Sequence, residues 1–326
     1  MKHKAHITLL LLGMFLATQI IGLLVINAYA PVQQTVVKPE TGEIQNITSQ
    51  QNLPFGLQTP EQEATPSLLS IVISFALAFA IIFILMKYKW KFVIRSWFFL
   101  VITLALGISI NAFLRTHLVQ ASIIAIAIAI PLAYAKIFIP NTYIHNLTEL
   151  LIYPGIAAVF IPILLPWSMI ALLILISLYD AWAVWRSGIM QKMAKFQMEE
   201  LRIFGGFLIP SVSNKVRAQI TKIKQKYKGK SMPKRVKEKK FKVSLAILGG
   251  GDVIFPIIAA GVFMRAFPEQ ALFGVAGLIP ALFIIAGALV GLTFLFLITK
   301  KGKAYPAMPY ITAGILLGLA FWKILL

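Results

Sequence analysis

The chain is built from long blocks of apolar residues separated by short polar or charged segments. A helix that crosses a bilayer needs about 20 mostly apolar residues, and nine blocks approach or exceed that length. We therefore predict an all-α polytopic membrane protein whose nine spans cover approximately Ile7–Ile26, Ser67–Met86, Ser96–Leu114, Leu118–Phe138, Glu149–Leu165, Trp167–Trp185, Val243–Met264, Gln270–Thr299 and Pro306–Leu325.

These blocks leave no room for a separate soluble domain, so we expect one membrane domain over residues 1–326. Residues 1–166 would carry helices 1–5, and residues 167–326 would carry helices 6–9. The composition agrees, because 59% of the residues are hydrophobic, whereas soluble domains have about 45–50% apolar residues. We expect an integral, multi-pass protein, located in the cell membrane if the source is prokaryotic.

The positive charge is concentrated between the sixth and seventh spans. The net charge is +20, and Arg186–Lys242 holds 17 Lys and Arg residues against three Glu. Basic loops remain in the cytoplasm, so we expect the loop 186–242 there, touching anionic lipid headgroups rather than nucleic acid. Its first part, Ile189–Phe207, has apolar residues near helical spacing and could lie on the membrane surface.

The remaining loops give the orientation of the chain. The segment 30–65 carries four Glu against one Lys, so it is expected outside, whereas Lys2 and Lys4 place the N-terminus in the cytoplasm. An odd number of spans then leaves the C-terminus outside. The first span has a second interpretation, because Ala28-Tyr29-Ala30 resembles a signal-peptidase site. Its length and Pro31 after the cut favour a retained helix.

The chemistry of the chain centres on its only two aspartates, Asp180 and Asp252, which both lie inside apolar blocks. A charge at the centre of a membrane helix costs about 2.5–3.5 kcal/mol, so such residues indicate a functional site. Neighbouring antiparallel helices could bring the two carboxyls face to face. Two close carboxyls share one proton, and such a pair can activate water and protonate a peptide carbonyl.

An ion- or proton-coupled transporter or channel could use the same two aspartates. Gly249-Gly250-Gly251 before Asp252 favours the protease, because glycines let a second backbone approach or let a helix unwind. The chain has no Cys and no H-E-x-x-H sequence, and its four His residues lie near span ends. We therefore expect no metal, no cofactor, no thiol nucleophile and no buried Ser–His pair.

Three motifs, in order, resemble those of presenilins and signal peptide peptidases. Tyr179-Asp180 matches the YD motif, Gly249-Gly250-Gly251-Asp252 matches GxGD, and Pro306-Ala307-Met308 stands where the family has Pro-Ala-Leu. Methionine replaces leucine at similar volume. Prepilin peptidases share GxGD, but they have fewer spans and lack the terminal motif, so they are the second choice.

The resemblance implies an intramembrane aspartyl endoprotease, most similar to a microbial or archaeal presenilin homologue. Asp180 and Asp252 would then be the catalytic pair. Tyr179, the three glycines and Pro306-Ala307-Met308 would shape the site and position substrate. The substrates would be transmembrane helices of other proteins, and no obligatory partner subunit is expected.

Overall fold

The computed structural model describes residues 5–37, 44–49, 52–57, 68–88, 90–139, 141–187, 204–211, 244–299 and 305–325. These residues form nine α-helices and two antiparallel sheets of two strands each. The helices are α1 Ala5–Ala28, α2 Leu68–Lys87, α3 Lys91–Leu114, α4 Ala121–Phe138, α5 Thr142–Phe160, α6 Pro166–Trp182, α7 Gly250–Ala266, α8 Leu278–Ile298 and α9 Met308–Leu325. The strands are β1 Val32–Val37, β2 Ile44–Ser49, β3 Gly206–Ser211 and β4 Ser244–Gly249.

The predicted membrane fold is confirmed, and each of the nine predicted spans overlaps one helix. Within the described residues, seven helices are long and apolar enough to cross a membrane, namely α1, α3, α4, α5, α6, α8 and α9. Large apolar side chains such as Leu9, Trp167 and Val290 are exposed on the outer faces. In a bilayer these side chains face lipid rather than water.

The seventh predicted span is wrong in its first third. Residues 244–249 form β4, which pairs with β3, and α7 begins only at Gly250. In β4 the side chains of Ala246 and Leu248 are buried and that of Ile247 is exposed, as the two-residue period of a strand requires. Glycine is disfavoured in a helix by about 1 kcal/mol relative to alanine, and Gly249 ends β4 as the N-cap of α7.

Most of the basic loop, residues 188–203 and 212–243, lies outside the described residues. The prediction of a surface helix over Ile189–Phe207 therefore falls largely outside them, and its last residues, Gly206 and Phe207, belong to β3.

Two helix starts also differ from the prediction. α5 begins at Thr142 rather than Glu149, because the Asn141 side chain accepts the backbone N–H groups of Tyr143 and Ile144 as an N-cap. α8 begins at Leu278 rather than Gln270. Gly277 precedes it with φ +66°, and a Cβ there would collide with the Met264 carbonyl. Only glycine fits that turn.

The last two helices approach each other through glycines. Cβ atoms built on Gly287 and Gly314 would each collide with the carbonyl oxygen of the other residue, and Gly291 and Gly318 meet the facing backbone in the same way. This is the small-xxx-small contact of membrane helices. It fixes the helix that carries Pro306-Ala307-Met308 at its start.

The first helix is central to the core. Leu11, Phe15 and Val25 of α1 are completely buried, and α1 contacts α3, α5, α7 and α8. This burial favours the retained helix over the cleaved signal peptide.

Candidate active site

Asp180 lies near the end of α6 and is 5% exposed. Its Oδ2 accepts the backbone N–H of Met308 at 3.0 Å, and the carboxyl also accepts the N–H of Ala307. The first N–H groups of a helix have no partner inside it. Pro309 has no N–H, and Tyr310 N–H bonds to Ala307 O, so Asp180 satisfies the two donors that remain at the start of α9.

A second contact joins α6 and α9 one turn away. The hydroxyl oxygens of Ser177 and Thr312 are 2.7 Å apart, and Ser177 Oγ is 2.7 Å from the Leu173 carbonyl oxygen. Thr312 can donate to Ser177, which in turn donates to Leu173. Both hydroxyls are buried, so this chain satisfies them and ties the two helices together below Asp180. Sequence reasoning missed this pair, because single hydroxyls are common in membrane helices.

Asp252 lies in the first turn of α7 rather than inside a continuous helix. Gly249 is the N-cap residue, so Asp252 is the third residue of the helix, and its carboxyl accepts the Gly249 N–H. This matches the reciprocal half of a capping box, in which the third residue reaches back to the cap. A carboxylate at a helix N-terminus is also stabilised by the helix dipole.

The two aspartates of α6 and α7 come together. Their carboxyls are close enough to interact electrostatically, and α6 also contacts α7 directly. Since α9 supplies the donors to Asp180, the three sequence motifs meet at one place.

The three glycines before Asp252 have different surroundings. A Cβ on Gly249 would lie 3.0 Å from Asp252 Oδ2, and a Cβ on Gly250 would lie 2.9 Å from the Tyr153 hydroxyl oxygen. A Cβ on Gly251 would find its nearest neighbour at 3.8 Å, on the Phe255 ring. Space is therefore restricted at the first two positions and available at the third.

The side chains of the other motif residues are divided between the core and the surface. Pro306 is buried, Ala307 is half-buried and Met308 is 3% exposed. The Tyr179 ring is 45% exposed and lies 6.3 Å from the Trp182 ring. Tyr179 therefore projects towards the outer surface of α6, whereas its neighbour Asp180 points inward.

Gln19 of α1 supports the start of α7, next to Asp252. It is completely buried, and its side-chain amide donates to the Val253 carbonyl at 3.0 Å. Gln19 was not predicted as a site residue, although a lone amide within an apolar block was the available signal.

An apolar cavity of about 530 Å³ opens beside this site. It lies between α2 and the helices α6 and α7, and Ile254 and Phe255 form part of its wall. These two residues follow Asp252 within one turn of α7. The cavity can therefore hold an apolar segment beside the first two turns of α7.

Comparison with known proteins shows which family and which solved folds the chain resembles. The family model described as signal-peptide peptidase, presenilin aspartyl protease matches residues 47–324. Comparison with curated proteins finds no match. A solved structure described as a presenilin family intramembrane aspartate protease, in space group C222, matches with a TM-score of 0.59 and 20% identity, covering 98% of this chain and 99% of that one. A structure with the same description in space group P2 gives a TM-score of 0.56 and 20% identity over 97% of both chains.

Proposed function

The chain belongs to the signal-peptide peptidase and presenilin aspartyl protease family, and we propose that Asp180 and Asp252 are its two catalytic carboxyls. It is an integral multi-pass membrane protein and an intramembrane aspartyl protease. The observation that carries the assignment of the pair is the meeting of the three motifs. Asp180 accepts the first N–H groups of α9, and the Asp252 carboxyl interacts with it electrostatically.

In the proposed mechanism the pair shares one proton. The ionised carboxyl takes a proton from water, and the water oxygen attacks the scissile carbonyl carbon. The other carboxyl gives its proton to the carbonyl oxygen, which forms a tetrahedral diol. The carboxyl that took the proton from water then gives it to the amide nitrogen, while the other carboxyl takes a proton back from a diol hydroxyl. The C–N bond breaks, and the pair again shares one proton. The N–H groups of Ala307, Met308 and Gly249 orient the carboxyls throughout.

The substrates are transmembrane segments, as the family suggests. We propose that such a segment reaches the pair through the cavity bounded by α2 and α7. Its apolar walls suit a lipid-embedded helix, and α2 packs chiefly against α3. Hydrolysis requires a carbonyl without its helical hydrogen bond, so the segment must unwind locally beside Asp252. We further propose that loop 186–242 touches anionic lipids and that the chain acts without partner subunits.

The test uses purified protein in liposomes with a single-span membrane protein as substrate. Mass spectrometry should find cuts inside the bilayer segment, and Asp180→Asn and Asp252→Asn should each abolish them. The double variant should be no worse than either single one, because the two groups act as a unit. A transporter would instead cut nothing and would show proton-coupled flux lost in the same variants. Clear proteolysis by Asp252→Asn would disprove the two-carboxyl mechanism.

A further inference from the structure

We propose that Lys136, His145, Asn146 and Glu149 form a positioning element for the reaction. These side chains of α4 and α5 hold β3 in place, and the β3–β4 sheet then fixes Gly249 and the Asp252 carboxyl. The inference rests on the proposed catalytic role of Asp252. None of the four belongs to the YD, GxGD or Pro-Ala-Met motifs.

The positioning element starts from a buried ion pair between α4 and α5. Lys136 Nζ lies 2.6 Å from Glu149 Oε1, and the two side chains are only 4% and 2% exposed. Removing two charges from water costs several kcal/mol per ion, so a buried pair is weak evidence for stability. The presence of such a pair is better explained by the single arrangement that it imposes on a neighbouring side chain. Here that neighbour is His145.

Lys136 sets the orientation of the His145 ring. Its ammonium lies 3.2 Å from His145 Nδ1, and an ammonium can only donate. The ring therefore accepts at Nδ1 and carries its proton at Nε2, which lies 2.7 Å from the Gly206 carbonyl oxygen. The ion pair thus orients the His145 ring so that its Nε2–H donates to the first residue of β3.

Asn146 binds β3 at a second point. Its Nδ2 donates to the Leu208 carbonyl at 2.8 Å, and its Oδ1 accepts the Leu208 N–H at 3.0 Å. The peptide groups of Leu208 therefore point towards α5, whereas those of Phe207 and Ile209 point towards β4. Pro210 shares the orientation of Leu208, so its missing N–H removes no bond between the strands. Asn146 thus makes the two hydrogen bonds that a neighbouring strand would make on the outer edge of β3.

The β3–β4 sheet links the position of β3 to that of Asp252. Gly206 pairs with Gly249 in the register of β3 and β4, and Gly250 N–H donates to the Gly205 carbonyl at 3.2 Å. Gly249 is in turn the N-cap of α7, and it lies against the Asp252 carboxyl, since a Cβ built on Gly249 would be 3.0 Å from Asp252 Oδ2. A shift of β3 therefore shifts the cap of α7 and the carboxyl together.

The test compares Asn146→Ala with Asn141→Ala in purified full-length protein. Both remove an amide from the start of α5, but Asn141 only caps the helix. We expect Asn146→Ala to lower kcat for a synthetic single-span peptide by about 10²-fold at unchanged KM, as a catalytic group misplaced by about 1 Å would do. A peptide with a hydroxyl at the scissile position should bind that variant more weakly by a similar factor. Asn141→Ala should match wild type in both measurements.

His145 gives a rescue experiment. Glutamine can present an N–H near the position of Nε2, so His145→Gln should retain kcat, whereas His145→Leu should lose it. Equal kcat in Asn146→Ala and wild type would overturn the inference. A loss of kcat that equals the fraction of unfolded protein in each variant would also overturn it, because such a loss reflects folding rather than positioning. If Asp252→Asn still cuts substrate, the catalytic pair itself is wrong, and the inference falls with it.

Discussion

Each aspartate of the pair is oriented by the main chain. Ala307 and Met308 donate their backbone N–H groups to Asp180, and Gly249 donates its own to Asp252. A backbone donor survives any side-chain substitution that leaves the local fold intact, except proline. This explains why a methionine can stand in the terminal motif, and it makes the backbone geometry of that motif the property to test.

Met308→Leu should be nearly neutral in activity, because the two side chains have similar volumes and the N–H to Asp180 is kept. Pro306→Leu should lower kcat while the protein remains folded in detergent. It frees φ just before the two N–H donors, since proline fixes φ near −65°. Cleavage rates and thermal unfolding measure both. Wild-type turnover in Pro306→Leu would reduce the motif to an ordinary helix start.

The glycines before Asp252 should respond differently to alanine. Gly251→Ala should raise the free energy of unfolding by up to about 1 kcal/mol, because it adds helix propensity where the nearest neighbour is 3.8 Å away. Gly250→Ala should lower it, because the new Cβ would lie 2.9 Å from the Tyr153 hydroxyl oxygen. Unfolding in detergent measures the difference, and equal stabilities would contradict the packing described here.

The residues that could be predicted were those whose burial costs free energy in any fold, because that cost can be recognised from the sequence alone. Asp180 and Asp252 stand out because a charge in an apolar block is expensive. Gln19 and the Ser177–Thr312 pair were missed because their value depends on partners up to 234 positions away. No local pattern encodes such a pairing.

Among the elements, neither sheet was predicted, and the apolar pattern concealed the β3–β4 sheet in particular. Short apolar runs have the same appearance in a buried strand and in a helix, and β4 runs directly into α7. Its partner β3 lies within the segment predicted to be a basic loop. The helices themselves were predictable because each needs a long apolar block, although the N-cap at Asn141 was overlooked. Because α5 begins at Thr142, Glu149 lies within the helix rather than at its start.

The buried ion pair of α4 and α5 gives a prediction that separates stability from positioning. Glu149→Leu alone should cost about 3–5 kcal/mol, because it leaves the Lys136 charge buried without its partner. The double variant Lys136→Met with Glu149→Leu should recover most of that stability, since both charges are gone. Its kcat should stay low, because nothing then orients His145.

Denaturant unfolding and cleavage of one synthetic single-span peptide measure the two properties in parallel. A double variant that recovered both stability and kcat would assign the pair to stability alone.

At the scale of the whole molecule, the active site gathers at one end of the helix bundle. The start of α5 binds β3, the start of α7 directly follows β4, and the end of α6 meets the start of α9 at Asp180. The end of α4 joins this region through the bond of Lys136 to Glu149 of α5. Alternating spans predicted from the basic loops put these ends on the cytoplasmic side. The orientation remains a prediction from charge.

The absence of Cys from the sequence makes the orientation testable, because an introduced Cys is the only thiol. Cys at Ser49, in β2, should react with a membrane-impermeant maleimide in intact cells. Cys at Ser231, in the basic loop and outside the described residues, should react only after the cells are opened. The reverse pattern would invert the topology, and the unmodified protein is the control for background labelling.

The bond from Gln19 to the Val253 carbonyl joins residues 234 positions apart, and this separation has a consequence during biosynthesis. At about 5–20 residues per second, the ribosome makes α1 roughly 10–50 s before it makes α7. Throughout that interval the nascent α1 must keep an amide in the bilayer without its final partner. The membrane insertion machinery or another early helix has to shelter it. Asp180 waits for the Met308 N–H over a shorter stretch of 128 residues, and the arrangement around the carboxyl pair is therefore complete only after α9 has been inserted.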